Sequence, residues 1–429
     1  MIPDISVLPN GLRVVTQTLP HLETTSLGVW VGSGSRNETP AQHGLSHLLE
    51  HMAFKGTPTR SAKDIAEEIE AIGGDLNAAT GLEMTSFFAR VLKGDEPVAL
   101  DILADILQNS IFAESDLERE REVILQEIAG IDDSPDELVY DLIQDAAYPG
   151  QAAGRPIIGT KRSVSALTGA DLKAFLANHY RPGNMVVAAA GAVHHQTFVR
   201  HVEALFGSLS ELSGSAAGPA LYTGGIRFSG KPFEQCHLML AFEAPSYMDR
   251  SYVTGQVLSG LLGGGMSSRL FQEVREKRGL CYSIYSTAWG LNDSGLFAIH
   301  AATGKDMMAG LISVVHEELD RVASEGVGAS EIQRSKAQIK AGLMMSLESS
   351  AAIAESMSRQ LLVYGRVLSP AELAQRVDGV TAADVTSFAE RMLSQTPSAA
   401  MVGAGRKSHD LAIRAAGKHS AAVPLARAR

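Results

Sequence analysis

The chain has 429 residues, of which 45% are hydrophobic and 20% charged, and its formal net charge at pH 7 is −11. This length predicts two domains of roughly 200 residues each, because a single hydrophobic core rarely grows larger. The composition is typical of a folded globular protein and excludes a disordered chain or a disulfide scaffold. The acidic balance excludes the basic surface that nucleic acid requires and favours basic peptides as partners.

The two cysteines, Cys236 and Cys281, lie far apart in the sequence. A disulfide framework is therefore not expected, and a reducing compartment is the default. The first residues contain no basic segment followed by an apolar one, and no run of about 18 apolar residues could cross a membrane. We expect a cytoplasmic protein without a membrane segment.

The first half of the chain mixes strand and helix patterns. Pro9-Asn10-Gly11 is a strong turn signal between two short alternating segments, and it predicts a hairpin. Helical periodicity follows where Ile65, Ile69 and Ile72 share one face. The prediction for this half has strands at 5–7, 12–15, 26–32, 87–91 and 185–190, and helices at 44–54, 63–72, 97–108, 114–131 and 169–179.

The sequence becomes rich in Ser, Gly and Ala near 211–222, which predicts a linker between domains. Beyond it the element order of the first half repeats, with strands predicted at 237–242, 279–286, 295–300 and 398–405 and a helix at 253–262. The predicted fold class is α+β, with two structurally duplicated domains at 1–210 and 223–406. The Ala- and Arg-rich segment 407–429 is expected to be a weakly ordered tail.

A candidate metal site lies in the predicted helix 44–54, which contains His47-Leu48-Leu49-Glu50-His51. Histidines four residues apart project from the same helix face, so both imidazoles can reach one metal ion. The order His-x-x-Glu-His is the inverse of the common zinc-peptidase motif, and Glu50 can act as general base toward a water that the metal activates. Alone, the motif is also compatible with two surface histidines that bind nothing.

His43 offers a second possible pair, because it lies four residues before His47. Pro40 and Gly44 indicate that the helix begins after His43. We therefore expect that His43 is not a metal ligand.

A catalytic zinc usually has three protein ligands, so the third must come from another part of the chain. In the predicted helix 114–131, the stripe that faces the core contains Glu120 and Glu127 among apolar residues. A buried carboxylate is costly unless it is paired or binds a metal. The alternative is that this acidic helix has a wide solvated face and the stripe is accidental.

Five segments resemble the pitrilysin family of inverzincins, in particular its bacterial members that are similar to the β-subunit of the mitochondrial processing peptidase. They are HGLSHLLEHMAFKGT at 43–57, GGDLNAATGLEMTSFF at 73–88, EREREVILQEI at 118–128, GRPIIGT at 154–160 and GGGMSSRLFQEVREKRGLCYS at 263–283. Their joint order along both halves of the chain is far more specific than any one motif.

The resemblance implies Zn²⁺ as the cofactor, with His47, His51 and Glu127 as its ligands and Glu50 as the general base. It also implies that Glu120 orients a zinc-ligating histidine, which fixes the tautomer and the plane of the ring. The implied fold is a pair of α/β-sandwich domains of the processing-peptidase type, each a mostly antiparallel sheet covered by helices. The N-terminal domain would carry the zinc.

The family's second functional element is an Arg and a Tyr seven residues apart, which Arg275 and Tyr282 match. The resemblance implies that this pair contacts the substrate and the transition state. It places Asn77 and Ala78 on an edge strand beside the zinc, where an extended peptide would bind through main-chain hydrogen bonds. From the residues alone, Arg275 is a surface charge, Tyr282 a core residue and Asn77 a turn residue.

The function predicted on this basis is zinc-dependent endopeptidase activity on short or unfolded peptides, including basic, presequence-like ones. Family members of this length work as two-chain assemblies, so the resemblance implies a homodimer in which Arg275 and Tyr282 of one chain face the zinc of the other. A heterodimer is the alternative assembly. The alternative functions are a non-catalytic subunit or scaffold of a larger peptidase-like assembly, and a metal hydrolase acting on non-peptide substrates.

Overall fold

The fold is described from a computed structural model of the chain, over residues 2–210 and 217–417. Its strands are β1 Asp4–Val7, β2 Arg13–Thr18, β3 Thr24–Val31, β4 Asp75–Thr80, β5 Thr85–Leu92, β6 Met185–Gly191, β7 Gly225–Glu243, β8 Ser283–Gly290, β9 Gly295–Thr303 and β10 Ser398–Ala404. The hairpin that was predicted around Pro9-Asn10-Gly11 is present as the antiparallel pair β1 and β2.

The α-helices are α1 Leu45–Ala53, α2 Ala62–Ala71, α3 Glu96–Asn109, α4 Glu114–Asp133, α5 Pro135–Ala147, α6 Lys161–Ala166, α7 Gly169–His179, α8 His195–Phe206, α9 Tyr252–Gly263, α10 Met308–Glu325, α11 Ala329–Ser346, α12 Ser350–Tyr364, α13 Pro370–Asp378, α14 Ala382–Leu393 and α15 Ser408–Ala416. Single 3₁₀ turns lie at Ser35–Asn37, Pro40–Gln42, Ala152–Gly154, Pro182–Asn184 and Gly405–Lys407, and a π-helical segment lies at Phe271–Glu276.

The chain forms two compact units, and each is assembled from three segments. Unit 1 contains the chain up to Ile128, together with Pro156–Gly218 and Met344–Pro370. Unit 2 contains Ala129–Arg155, Pro219–Leu343 and the chain from Ala371 onward. The continuous domains predicted at 1–210 and 223–406 are therefore corrected, because α5 belongs to unit 2 and α12 belongs to unit 1.

Unit 1 is built on a six-stranded sheet in the order β1-β2-β6-β3-β5-β4. Only β2 and β6 pair in parallel, and the other neighbours are antiparallel. The central strand β6 is buried along its whole length, because α12 covers one face of the sheet and the remaining core of the unit covers the other. Its uninterrupted apolar sequence fits this position, since a strand with two covered faces needs no polar alternation.

Unit 2 is built on a sheet in the order β10-β7-β9-β8. The long strand β7 doubles back around β10, because Ser398 pairs with both Gly225 and Ala241. The strand order is then first arm of β7, β10, second arm of β7, β9 and β8, which repeats the order β2-β6-β3-β5-β4 of unit 1. The predicted fold class, two duplicated α+β domains with mostly antiparallel sheets, is confirmed.

The predicted linker and tail fall partly outside the described residues. Residues 211–216 of the linker and 418–429 of the tail are not described. Within the tail, however, α15 is a regular helix whose Leu411, Ala412 and Ala415 are buried in the core of unit 2. The expectation of weak order is wrong for this helix, because alanine gives a faint hydrophobic pattern yet allows a helix to pack closely. None of the helices in the described residues is long and apolar enough to span a membrane.

A buried polar cluster joins α5 to the sheet of unit 2. His237 Nδ1 lies 3.2 Å from His300 Nε2, and the hydroxyls of Tyr140 and Tyr285 lie 2.6 Å apart. The His300 ring also packs 4.9 Å from the Tyr285 ring. Burial, and next the neighbouring His237, lower the pKa of His300 to about 4, while Asp136 acts in the opposite direction.

We expect this cluster to make the stability of the protein dependent on pH. The unfolded chain protonates His300 below its ordinary pKa, whereas the folded chain does so only near pH 4, so stability is lost as the pH falls through this window. Relative to a His300→Gln variant, the wild type should lose about 2 kcal/mol more in its free energy of unfolding between about pH 7.5 and about pH 5. Urea unfolding of the metal-free proteins measures this difference. His21→Gln, at an exposed loop position, is the control and should behave like the wild type.

Candidate metal centre

Helix α1 begins at Leu45, directly after Gly44, whose φ of 91° is accessible to glycine with little strain. Backbone N–H groups at the start of the helix are satisfied by the carboxylate of Glu38, which lies shortly before it in the sequence. Glu38 accepts hydrogen bonds from the N–H of Gly44 at 2.8 Å and from the N–H of Ser46 at 2.7 Å. A buried carboxylate at a helix N-terminus also interacts favourably with the helix dipole. Glu38 therefore fixes the start of the helix that bears the His-x-x-Glu-His motif.

Replacing Glu38 with alanine should destabilise the folded protein by about 1–3 kcal/mol, because two buried N–H groups lose their acceptor. The unfolding midpoint in urea measures the effect. The matched control is Glu23→Ala, which removes a side chain that is 80% exposed and should change stability by less than about 0.5 kcal/mol. Equal stabilities of the Glu38 and Glu23 variants would contradict the capping role.

His43 lies outside α1, as its position before Gly44 indicated. Its Nε2 donates a hydrogen bond to the carbonyl of Pro156 at 2.8 Å, and the residue is buried. His43 therefore joins α1 to the segment that follows residue 156 and does not belong to the cluster around His47.

The two faces of α1 differ sharply in character. One face consists of fully buried apolar side chains, namely Leu45, Leu48, Leu49 and Met52. The other presents His47 and His51, whose ring centroids lie 4.7 Å apart and whose side chains are each 18% exposed. The apolar face packs into the core of unit 1, so the two rings lie on the side that remains accessible.

Helix α4 brings Glu127 to the two imidazoles. Glu127 Oε2 lies 3.9 Å from His47 Nε2 and 3.8 Å from His51 Nε2, and its side chain is 40% exposed. Among the described residues, these three side chains form the group of possible ligands that could hold a metal ion, with all ligand atoms within 4.8 Å of one another. Two imidazoles and one carboxylate are a donor set of catalytic zinc, and bond lengths of about 2.0–2.2 Å require ligand atoms this close.

The protonation state of His47 also suits a metal. Burial, and next the neighbouring His51, lower the pKa of His47 to about 4. The ring is therefore neutral near pH 7 and keeps a lone pair for coordination. The residues present fit a zinc ion.

Glu120 lies one helical turn before Ile124 on α4 and is buried. Its Oε2 accepts a hydrogen bond from His51 Nδ1 at 3.0 Å, and its Oε1 pairs with Lys55 Nζ at 2.7 Å. Burial acts to raise the pKa of Glu120, but the hydrogen bonds from Lys55 and His51 hold that pKa below its ordinary value. A carboxylate at His51 Nδ1 fixes the tautomer in which Nε2 is free to bind a metal.

Glu50 lies on α1 between the two histidines and is only half-buried. Its Oε2 accepts a hydrogen bond from the hydroxyl of Thr80 on β4. This contact fixes the carboxylate beside the open edge of the sheet, since β4 pairs only with β5 among the described strands. The side chain is thus oriented yet keeps one oxygen available.

Asn77 and Ala78 lie in the middle of β4, which is an edge strand of the sheet, so the interpretation of Asn77 as a turn residue is wrong. Asn77 is exposed, and Ala78 is buried. The Ala78 N–H donates a hydrogen bond to Asn77 Oδ1 at 2.8 Å, so the side chain of Asn77 already satisfies this main-chain donor.

Arg275 and Tyr282 lie in unit 2 and contact each other. The Arg275 guanidinium lies over the Tyr282 ring at 5.1 Å and over the Phe271 ring at 4.6 Å. Tyr282 is 79% exposed, so the prediction from composition that it lies in the core is wrong. The two side chains stack on each other, and the hydroxyl of the exposed Tyr282 is accessible to a ligand.

Three residues around the metal centre were not singled out from the sequence, namely Glu38, Lys55 and Thr80. Glu38 precedes α1 by several residues and carries no local capping pattern. Lys55 stands inside a segment that matched the family, but its partner Glu120 is 65 positions away. Thr80 is the last residue of the edge strand β4. Only the three-dimensional approach of β4 to α1 brings it to Glu50.

Comparisons with known proteins agree with this geometry. A family model described as "Insulinase (Peptidase family M16)" matches residues 13–161, which include the whole candidate metal centre. A second model, described as "Peptidase M16 inactive domain", matches residues 166–339. Together the two models cover most of the chain, and the boundary between them, at residues 161–166, lies within unit 1.

Similar proteins include an "uncharacterized zinc protease" of Rickettsia bellii, 41% identical over 93% of this chain and 97% of its own length. A protein of the same description from Bacillus subtilis is 37% identical over 92% of this chain and 96% of its own length. The crystal structure of a protease from Helicobacter pylori superposes with a TM-score of 0.86 over 93% of this chain and 99% of its own, at 24% identity, and supports the fold. The chain therefore belongs to peptidase family M16, the insulinase or pitrilysin family, whose metal is zinc.

Proposed function

We propose that the protein is a zinc-dependent endopeptidase that hydrolyses short or unfolded peptides, with Glu50 as its general base. The observation that carries this proposal is the position of Glu50. It lies between His47 and His51 on one helix and is fixed by Thr80 next to an open sheet edge. The proposed base, the group of possible metal ligands and the proposed peptide-binding edge all belong to unit 1.

In this proposal His47, His51 and Glu127 hold the zinc, and Glu120 orients His51. When bound, the zinc supplies Lewis-acid chemistry, which polarises a carbonyl and makes water more acidic. The neutral state of His47 supports its role as a ligand. The hydrogen bond from His51 Nδ1 to Glu120 supports coordination through His51 Nε2.

Glu50 accepts a proton from the attacking water and passes it to the nitrogen of the leaving amine. Because Thr80 donates to Oε2, the other carboxylate oxygen is the one that handles the proton. The same hydrogen bond restricts the rotation of the carboxylate, so the base does not have to be oriented during the reaction.

The peptide binds as an added strand along β4, and main-chain hydrogen bonds make the binding tolerant of sequence. A carbonyl of the peptide replaces Asn77 Oδ1 as the acceptor of the Ala78 N–H. Arg275 and Tyr282 contact the peptide and the transition state, for which one well-placed donor is worth about 3–4 kcal/mol. The net charge of −11 supports a preference for basic segments.

The proposed assembly is a homodimer in which each zinc site is completed by Arg275 and Tyr282 of the other chain. This proposal rests on the presence of both elements in one chain, since neither has to be supplied by a different partner. The proposed location is the cytoplasm, which fits two free cysteines, one of them buried.

The activity is tested with internally quenched unfolded peptides, one basic and one acidic, incubated with the purified full-length protein. Cleavage within the peptide, lost with a zinc chelator and restored by added zinc, is the expected result, with the basic peptide cleaved faster. Stoichiometric zinc without cleavage of any peptide in a broad library would support a non-catalytic subunit instead.

The shared site is tested by mixing Glu50→Gln chains with Tyr282→Phe chains after dissociation and reassociation. If the sites are composite, each mixed dimer contains one site with both residues intact. The mixed dimers, separated from the two parent dimers, should then approach half the activity of the wild-type dimer. Mixed dimers no more active than the two single variants would exclude shared sites.

A further inference from the structure

The ammonium group of Lys55 reaches the metal centre through Glu120. Lys55 follows the last residue of α1 by two positions, and its backbone N–H donates to the carbonyl of Met52, which closes the turn there. Its Nζ lies 2.7 Å from Glu120 Oε1, and the opposite oxygen, Oε2, accepts the hydrogen bond from His51 Nδ1. One carboxylate thus joins Lys55 to His51.

The geometry leaves Glu120 little freedom to rotate. Its side chain is 11% exposed, and both of its oxygens are engaged by charged or polar groups that come from the region of α1. A carboxylate held at one oxygen only could turn about its terminal torsion, because that torsion is broad for Glu. With Lys55 on Oε1, the plane of the carboxylate is defined and Oε2 is directed to His51 Nδ1.

Charge balance points to the same role. The carboxylates of Glu50, Glu120 and Glu127 all lie around the two histidines, and this accumulation of negative charge favours a dication. Glu120 does not touch the cluster of ligand atoms itself, so its charge needs a nearer partner. Lys55 provides a cation at hydrogen-bond distance, and together with a zinc ion it balances the three carboxylates.

We propose that Lys55 is a positioning residue of the zinc site, which holds Glu120 in the orientation that directs His51 Nε2 toward the metal. The inference rests on the proposed ligand set, because it assumes that His51 is a ligand. Lys55 acts through Glu120 and touches neither substrate nor metal.

The test measures the zinc dissociation constant of the full-length protein by competition with a fluorescent chelator. Lys55→Met should weaken zinc binding by about tenfold, the lower end of the usual range for a residue that orients a metal ligand, because Lys55 acts through Glu120. Lys55→Arg keeps the positive charge and should restore affinity to within about threefold of the wild type. The control is Lys63→Met, which removes an 80% exposed lysine from an ion pair with Glu67 and should leave affinity unchanged.

A double-mutant cycle with Glu120→Gln separates positioning from a general effect on the fold. If Lys55 acts through Glu120, adding Lys55→Met to Glu120→Gln should change the dissociation constant by less than about twofold. A Lys55→Met protein with wild-type affinity, or one that weakens binding equally in both backgrounds, would overturn the proposal. Unfolding of the metal-free variants is measured in parallel, and if Lys55→Met does not fold, Lys55→Gln takes its place in the cycle.

The outcomes also distinguish this inference from the proposed function. Loss of zinc in a Glu127→Gln protein combined with normal zinc in Lys55→Met would keep the ligand set and reject the role of Lys55. Normal zinc in both variants would reject the ligand set itself.

Discussion

Replacing Glu50 with glutamine is expected to lower kcat/KM for an unfolded peptide by about 10³-fold, since glutamine cannot accept the proton that hydrolysis requires. Zinc content should remain that of the wild type, because Glu50 is not among the three ligand side chains. The hydrogen bond with Thr80 can still form to the amide oxygen, so the local structure should be preserved. Peptide cleavage and zinc content are measured on the same preparation.

Two further variants make this result specific. Thr80→Val removes the hydrogen bond to Glu50 and should reduce kcat by about tenfold without loss of zinc, because the base remains but its orientation is less restricted. Glu70→Gln, at an exposed position of α2, is the matched control and should retain full activity. A Glu50→Gln protein with zinc and full activity would exclude Glu50 as the base.

The helices of the metal centre were predictable because the periodicity of neighbouring residues determines both the helix and its buried face. The apolar stripe Leu45, Leu48, Leu49 and Met52 predicts both α1 and the face that packs, so the histidine face follows from helical geometry. On α4, the periodicity placed Glu120 among core residues, and it is buried as expected. Glu127 lies at the border of that stripe and is partly exposed, which fits its proposed role as a metal ligand.

The parts that sequence could not supply depend on contacts between distant segments. In the structure, Ile353 and Met357 of α12 are buried against Trp30 in the sheet of unit 1. The sequence pattern of α12 would fit packing on the sheet of unit 2 equally well. The same holds for α5, whose Val139 and Ile143 pack on the other sheet. An amphipathic pattern predicts that a helix has a buried face, but it does not predict which surface covers that face.

The order of the predicted elements indicated the duplication, but the sequence did not show every strand of the second sheet. The predicted strand 237–242 is only the second arm of β7, and the first arm, near Ile226 and Phe228, was missed. That arm corresponds to β2 in unit 1 and completes the equivalence of the two sheets. Because four paired residues of an arm carry too short a pattern for recognition, the sheet partner on β10 is what defines it.

Replacing Glu127 with glutamine is expected to weaken zinc binding by about 10³-fold, or about 4 kcal/mol, because the site loses its anionic ligand. Glu127 comes from a different helix than His47 and His51, so folding must bring α4 to α1 before the ion can bind with three protein ligands. The variant should therefore bind zinc weakly while keeping its fold, since the side chain is 40% exposed and makes no buried hydrogen bond among the described contacts. Titration of the metal-free protein with zinc measures the affinity. Urea unfolding of the same metal-free protein checks that the fold is kept.

The matched control for Glu127 stands on the same helix. Glu122→Gln removes one negative charge from an exposed position of α4 and should leave zinc affinity within about twofold of the wild type. If the two variants weakened zinc binding equally, the effect would come from the net charge of the helix and not from coordination. A loss confined to Glu127→Gln identifies a directed ligand, because long-range charge effects in water are screened within about 10 Å at moderate salt.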